Sequence, residues 1–228
     1  MTRGILIAGN DSSLFSAAGA EALKRVESFS SAIIPNRFTV SEGGALPPPK
    51  TETPAGFIPL TWNPSSPISA RTLVLAAENR LKQINDAILI CLPPAVFKNA
   101  ESLTPEEIEI LINDQIKGWF FLIRELALYF SRTGSGSLSF VTPEPSVNSG
   151  GKNTQTDILG PSATASFHSF TQGILSTSAN EPYRVMGFTG CEAGAEAEFA
   201  AWLFKIIDED TRKNSGRWHK YSKLGFFR

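Results

Sequence analysis

The sequence predicts an α/β protein in three layers, a doubly wound parallel sheet with helices on both faces. Three observations predict it. Short apolar runs bounded by turn residues recur along the chain, among them GILIA at 4–8, DAILICL at 86–92 and SLSFV at 137–141. Segments with apolar residues at helical spacing separate those runs. The runs are continuously apolar rather than alternating, which is the pattern of strands covered on both faces.

Residues 4–8 form the first strand, ending in Gly9, Asn10 and Asp11. Residues 13–28 form the first helix, with Leu14, Ala18, Ala22, Leu23 and Val26 at helical spacing. A second strand at 31–34 is closed by Pro35 and Asn36. The stretch 41–56 (SEGGALPPPKTETPAG) is rich in Gly and Pro and reads as an irregular surface loop. A third strand at 57–62 and a helix at 66–83 follow, and then 86–92, the clearest buried strand. Thr104, Pro105, Glu106 and Glu107 combine an N-cap, a proline at the first helical position and a capping-box glutamate. They open a helix over 104–130. Next come a strand at 137–141, a helix at 160–176, a strand at 183–188, a helix at 195–207 and a last strand in the basic tail, 211–228. The order βαβ(loop)βαβαβαβαβ is that of a single Rossmann-type domain spanning 1–228.

The chain of 228 residues carries 21 Lys plus Arg against 22 Asp plus Glu, a balance that gives no reason to expect a nucleic-acid binder. The tail holds six basic residues and no acid, interleaved with Trp218, Tyr221, Phe226 and Phe227. Such interleaving suits either single-stranded nucleic acid or an edge strand, and the strand is the expectation. Two cysteines and two histidines exclude a disulfide scaffold and a metal site built from three such ligands. No apolar stretch approaches the ~18 residues of a membrane span. The opening residues lack the pattern of a signal peptide, so the expected location is cytoplasmic.

At this point the residues resemble a known family, the short-chain dehydrogenases/reductases. The unit 5–23 is similar to the family's opening strand, turn and helix. Asp86-Ala87-Ile88-Leu89-Ile90 resembles its fourth strand, and Gln115-Ile116-Lys117-Gly118 its Asn-containing helix segment. Residues 162–173 (SATASFHSFTQG) resemble the helix after its active-site tyrosine, and Arg184-Val185-Met186-Gly187-Phe188 its Arg-Val-Asn strand.

The resemblance implies a dinucleotide turn of the form TGxxxGxG, where small residues let a pyrophosphate reach the backbone at a helix N-terminus. Here Ala8-Gly9-Asn10-Asp11-Ser12-Ser13-Leu14-Phe15 stands in its place, so only Gly9 matches, and Ser13 and Phe15 take the other two glycine positions. Gly9, Asn10 and Ser12 are the candidate cofactor contacts of the turn. Arg37, after the second strand, stands where an Arg suits the 2′-phosphate of NADP, or is simply a solvated strand-end charge. Asn63, after the third strand, stands near the expected adenine.

The catalytic set is missing. The family's tyrosine acts as general acid/base, its pKa lowered by a lysine four residues on, while a serine orients the carbonyl. The resemblance puts Gly160 at the tyrosine position, Thr164 at the lysine position, Thr142 and Pro143 near the serine and Gln115 at the helix asparagine. The family's Asn-Asn-Ala-Gly turn reads Cys91-Leu92-Pro93-Pro94. No tyrosine lies between Tyr129 and Tyr183. No residue is therefore assigned a catalytic role. Cys91 reads as a buried core thiol, and His168 as a helix-surface or interface residue.

Two function classes follow. The first is a non-catalytic binding or interaction module that has lost the catalytic set and most of the glycine-rich turn. The alternative is an NADP-dependent oxidoreductase with a substituted site using Thr142. The helix centre Trp119-Phe120-Phe121-Leu122-Ile123, with Leu126 and Leu128, is apolar nearly all round, so it buries more than one face. A homo-oligomer through the helices 105–130 and 160–176 is the expectation, with a dimer as its simplest form.

Overall fold

The computed structural model describes residues 3–38, 55–143 and 157–222. Most of the expected loop 41–56, and the tail beyond residue 222, lie outside the described residues. Seven parallel strands form one sheet in the order β3-β2-β1-β4-β5-β6-β7. They are β1 (Ile5–Asn10), β2 (Phe29–Ile34), β3 (Phe57–Pro59), β4 (Asp86–Ile90), β5 (Ser137–Val141), β6 (Arg184–Thr189) and β7 (Arg217–Lys220). The order reverses beside β1, so β1 and β4 flank the switch point of the doubly wound sheet.

Helices cover both faces. On one lie α2 (Pro67–Leu81), α4 (Gly118–Thr133) and α5 (Gly160–Thr177), packed over Leu6, Ala8, Leu89, Leu138 and Phe140. On the other lie α1 (Ser13–Leu23) and α6 (Glu196–Asp208), packed over Ile5, Ile7, Ile88, Val141 and Phe188. Alternate residues of each strand enter opposite cores, which is why these strands read as unbroken apolar runs.

Four expected elements differ most. The first helix ends at Leu23 rather than 28, its last turn closed by the Lys24 amide on the Glu21 carbonyl at 3.3 Å, which leaves the chain free to enter the second strand at Phe29. The third strand stops at Pro59 because it is an edge that pairs only with Phe29, Ser30 and Ser31; Pro64, soon after, offers no amide to a ladder. The second strand begins two residues early, since Phe29 pairs with Phe57 and its ring meets the Phe57 ring edge-on, centroids 4.4 Å apart. The long helix is three pieces: α3 (Pro105–Ile110), a π-helical segment (Leu111–Lys117) and α4. Its predicted capping box is present, with the Glu107 amide donating to Thr104 Oγ1 at 3.3 Å and Glu107 Oε2 accepting from the Thr104 amide at 3.0 Å.

The apolar surplus of that helix is partly absorbed within the chain. Trp119 is fully buried between Trp62 and Phe167, at ring centroids of 5.5 and 5.2 Å. Phe120 stacks on Phe170 of α5 at 4.0 Å. Phe121 is half-buried and Leu128 is exposed.

Candidate functional site

Two ends of the sheet compete for the site. At the amino ends of the strands a cavity of about 690 Å³ is lined by charges that already satisfy one another. Arg3 bonds Asp86 at 2.5 Å and Asp208 at 2.6 Å, Arg25 bonds Asp208 at 2.7 Å, and Arg184 bonds Asp210 at 3.0 Å. Such paired charges tie the first strand, α1 and α6 together. At the carboxyl ends, where open α/β sheets bind ligands, a cleft of about 150 Å³ is lined by Ser13, Leu14, Leu92, Thr142, Cys191 and Glu196, among others.

The turn above β1 is built from its own side chains. Ser12 is the N-cap of α1, and its Oγ accepts the Phe15 amide at 3.1 Å. Asn10 points inward, almost fully buried. Its amide nitrogen donates to Gln115 Oε1 at 3.1 Å, and its oxygen accepts the Leu92 amide at 3.0 Å. One side chain thus joins the ends of β1 and β4 to the π-helical segment. Phe15 turns into the core. An ideal Cβ on Gly9 lies 3.0 Å from Phe15 Cδ2 and 2.9 Å from the Ile90 oxygen, so Gly9 is needed for this packing.

Two carboxylates reach the same region. Ser13 Oγ donates to Glu196 Oε1 at 3.1 Å, linking the first residue of α1 to the first residue of α6. Arg37 grips Asp114 of the π-helical segment through both ends of its guanidinium, Nε to Oδ2 at 2.7 Å and a second bond to Oδ1. Asp114 is fully buried. Asn63 is exposed, and its side-chain oxygen accepts from the Ser65 amide at 3.2 Å and from its hydroxyl at 2.7 Å. The structure therefore brings Gly9, Asn10 and Ser12 together with Gln115, and sets Arg37 against Asp114. Asn63 is engaged in a turn at the start of α2.

The position matched to the catalytic tyrosine is the first residue of α5. Asp157 Oδ1 accepts the amides of Gly160 at 3.0 Å, Leu159 at 3.2 Å and Val96 at 3.1 Å. A Cβ on Gly160 would lie 2.3 Å from Asp157 Oδ2. Position 160 takes no side chain while this carboxylate caps the helix. Thr164, matched to the lysine, is buried in α5, and Thr142 lies almost fully buried at the end of β5.

The remaining reactive groups are muted. Burial pushes the Cys91 thiol far up, and it lies in the core against Trp119. Burial, then Glu196 and Glu192, push the Cys191 thiol up to about 11, so it is a thiol at neutral pH rather than a nucleophilic thiolate. Tyr129 accepts the Ile84 amide and Tyr183 immediately precedes β6, both at the amino ends of the strands, and burial raises both phenols. Tyr221 packs on Phe199 and Trp202 of α6. His168 stacks on Trp218 at 4.5 Å. Among the described residues no group of three or more His, Cys, Asp or Glu is placed to hold a metal ion, and no helix is long and apolar enough to cross a membrane.

Sequence reasoning missed Asp114, Glu196 and Asp157. None of the three had a sequence signal: Asp114 sits among Asn113, Gln115 and Lys117 in a helix with four other acids, and all three needed the tertiary pairing.

No family model matches the chain, and no curated protein matches it. Solved structures do. A short-chain dehydrogenase from Mycobacterium smegmatis superposes with a TM-score of 0.72 at 11% identity, covering 98% of this chain and 93% of that one. A short-chain dehydrogenase from Bacillus anthracis gives 0.73 at 11% identity, covering 97% and 95%. An NADH-dependent reductase complexed with NAD gives 0.69 at 12% identity, covering 96% and 94%.

Proposed function

We propose that this chain, which has the fold of the short-chain dehydrogenases/reductases, is a non-catalytic binding or interaction module. One observation carries the reading. At the place matched to the catalytic tyrosine stands Gly160, where a side chain would meet the Asp157 carboxylate that caps the helix. A proton donor cannot be restored there by a rotamer change; the helix cap itself would have to be rebuilt. Thr142 lines the cleft, and the two phenols with displaced pKa values move upward, away from general acid/base work.

The test is turnover. Incubated with NADPH or NADH and a panel of aldehydes and ketones, the protein is expected to leave the absorbance at 340 nm at the no-enzyme rate. Carbonyl-dependent oxidation that disappears in Thr142→Val would establish the oxidoreductase alternative instead.

Self-association through 105–130 and 160–176 belongs to the same reading. Leu128 is 52% exposed on α4 and Phe121 is half-buried, at i and i+7 on one helix face. Sedimentation velocity is expected to give a dimer for the unaltered protein and a monomer for Leu128→Asp. A monomeric unaltered protein would end this part of the reading.

A further inference from the structure

The fold's dinucleotide site has two anion-receiving points. The pyrophosphate is received at the N-terminus of the first helix, and a 2′-phosphate by an Arg beyond the second strand. In this chain each point faces a carboxylate of the chain itself. At the first, Ser13 opens α1 and donates to Glu196 at 3.1 Å. At the second, Arg37 holds Asp114 with two hydrogen bonds. The residues present do not fit a dinucleotide. The Phe15 amide, in the first turn of α1, is already engaged by Ser12.

We infer that the site is self-liganded: Glu196 stands in for the pyrophosphate, Asp114 for the 2′-phosphate, and the chain takes no NAD or NADP. The argument is one of charge. A pyrophosphate entering at Ser13 meets the Glu196 carboxylate in a cleft that Glu192 also lines, and like charges at close range oppose entry. Burial is the main cause of the upward displacement of the neighbouring Cys191 thiol, and Glu196 and Glu192 add to it with the same sign. A 2′-phosphate reaching Arg37 finds Nε and Nη2 already engaged and the guanidinium charge countered by the buried Asp114 carboxylate, whose negative charge opposes a second anion.

This inference concerns binding, whereas the preceding one concerns turnover, and the experiments separate them. Isothermal titration calorimetry of the unaltered protein with NAD, NADP and NADPH is expected to give no saturable heat up to about 1 mM. Two variants remove one internal anion each. Glu196→Gln, half-buried at the start of α6, is probed with inorganic pyrophosphate. Asp114→Asn, which keeps an oxygen acceptor for Arg37, is probed with adenosine 2′,5′-bisphosphate. Each variant is expected to bind its probe at least about ten-fold more tightly than the unaltered protein does. Saturable binding of any dinucleotide to the unaltered protein at micromolar levels overturns the inference. So does a Glu196→Gln variant, folded by circular dichroism, that gains no affinity for pyrophosphate. The Glu196 arm stays readable even if Asp114→Asn fails to fold.

Discussion

Replacing Phe15 by alanine is expected to lower the stability of the folded protein by about 3–5 kcal/mol, the range for truncating a buried aromatic side chain. The ring is 2% exposed and lies between α1 and the sheet, in one cluster with Ile5, Ile7, Phe29, Ile88 and Ile90. For a chain of this length, such a loss shifts a thermal midpoint downward by roughly 10 °C. A companion substitution tests the packing of the ring against Gly9. Gly9→Ala adds a Cβ that meets Phe15 Cδ2 at 3.0 Å, the Ile90 Cβ at 3.0 Å and the Ile90 oxygen at 2.9 Å. Alone it is expected to cost about 1–3 kcal/mol through overpacking. In a Phe15→Ala background part of that cost vanishes, because one of the three close contacts has gone, while the Ile90 contacts remain. The two substitutions should therefore be non-additive, with the pair less destabilised than the sum. Additive losses, or a loss below about 1 kcal/mol for Phe15→Ala, would show that the ring does not pack against Gly9.

That result also bears on the glycine-rich turn. Gly9 survives in a sequence where Ser13 and Phe15 take the other two glycine positions, and by itself a lone glycine suggests a remnant of phosphate binding. Its contacts give a different reason. Gly9 is flanked by Phe15 from α1 and Ile90 from β4, so a packing requirement suffices to keep it small.

The α/β class and its parallel sheet were legible because the central strands are buried on both faces and so leave unbroken apolar runs, as at Ile5–Asn10 and Asp86–Ile90, whereas the edge strands Phe57–Pro59 and Arg217–Lys220 are only partly buried and leave a weaker pattern. The α3 start was legible because a capping box is local chemistry, closed within Thr104 to Glu107. The π-helical segment was not. Its cause is non-local: Gln115 is drawn to Asn10, 105 positions away, and Asp114 to Arg37, 77 positions away. The absence of a tyrosine between Tyr129 and Tyr183 was legible in the sequence alone. The cap that Asp157 makes at the start of α5, on three backbone amides from two segments, has no sequence signature. The same holds for Arg37. A basic residue after the second strand is compatible with reading a phosphate, and only its partner decides what it reads.

Replacing Arg37 by methionine is expected to destabilise the protein by about 2–4 kcal/mol, because removing one partner strands a charge that the fold has taken out of water. The figure sits below the upper range for buried pairs since the two partners are unequal: the Asp114 side chain is 0% exposed and that of Arg37 38%. A surface ion pair predicts something else, a loss of about 0.2–1 kcal/mol that fades with added salt. Denaturant midpoints at low and high ionic strength distinguish the two. The burial of Asp114 keeps the pair from being screened, so the loss in Arg37→Met should change little with salt. The reciprocal change is milder. Asp114→Leu removes the buried charge itself and leaves Arg37 able to reach water. The double variant Arg37→Met with Asp114→Leu should therefore recover most of the loss seen in Arg37→Met, since an apolar pair of similar volume replaces a buried ionic one at little net cost. Full additivity of the two single losses would mean that the ion pair contributes nothing as a pair. Recovery in the double variant would identify Arg37 as the counter-ion that lets Asp114 stay in the core, and the π-helical segment as the element that this pairing holds against the end of β2.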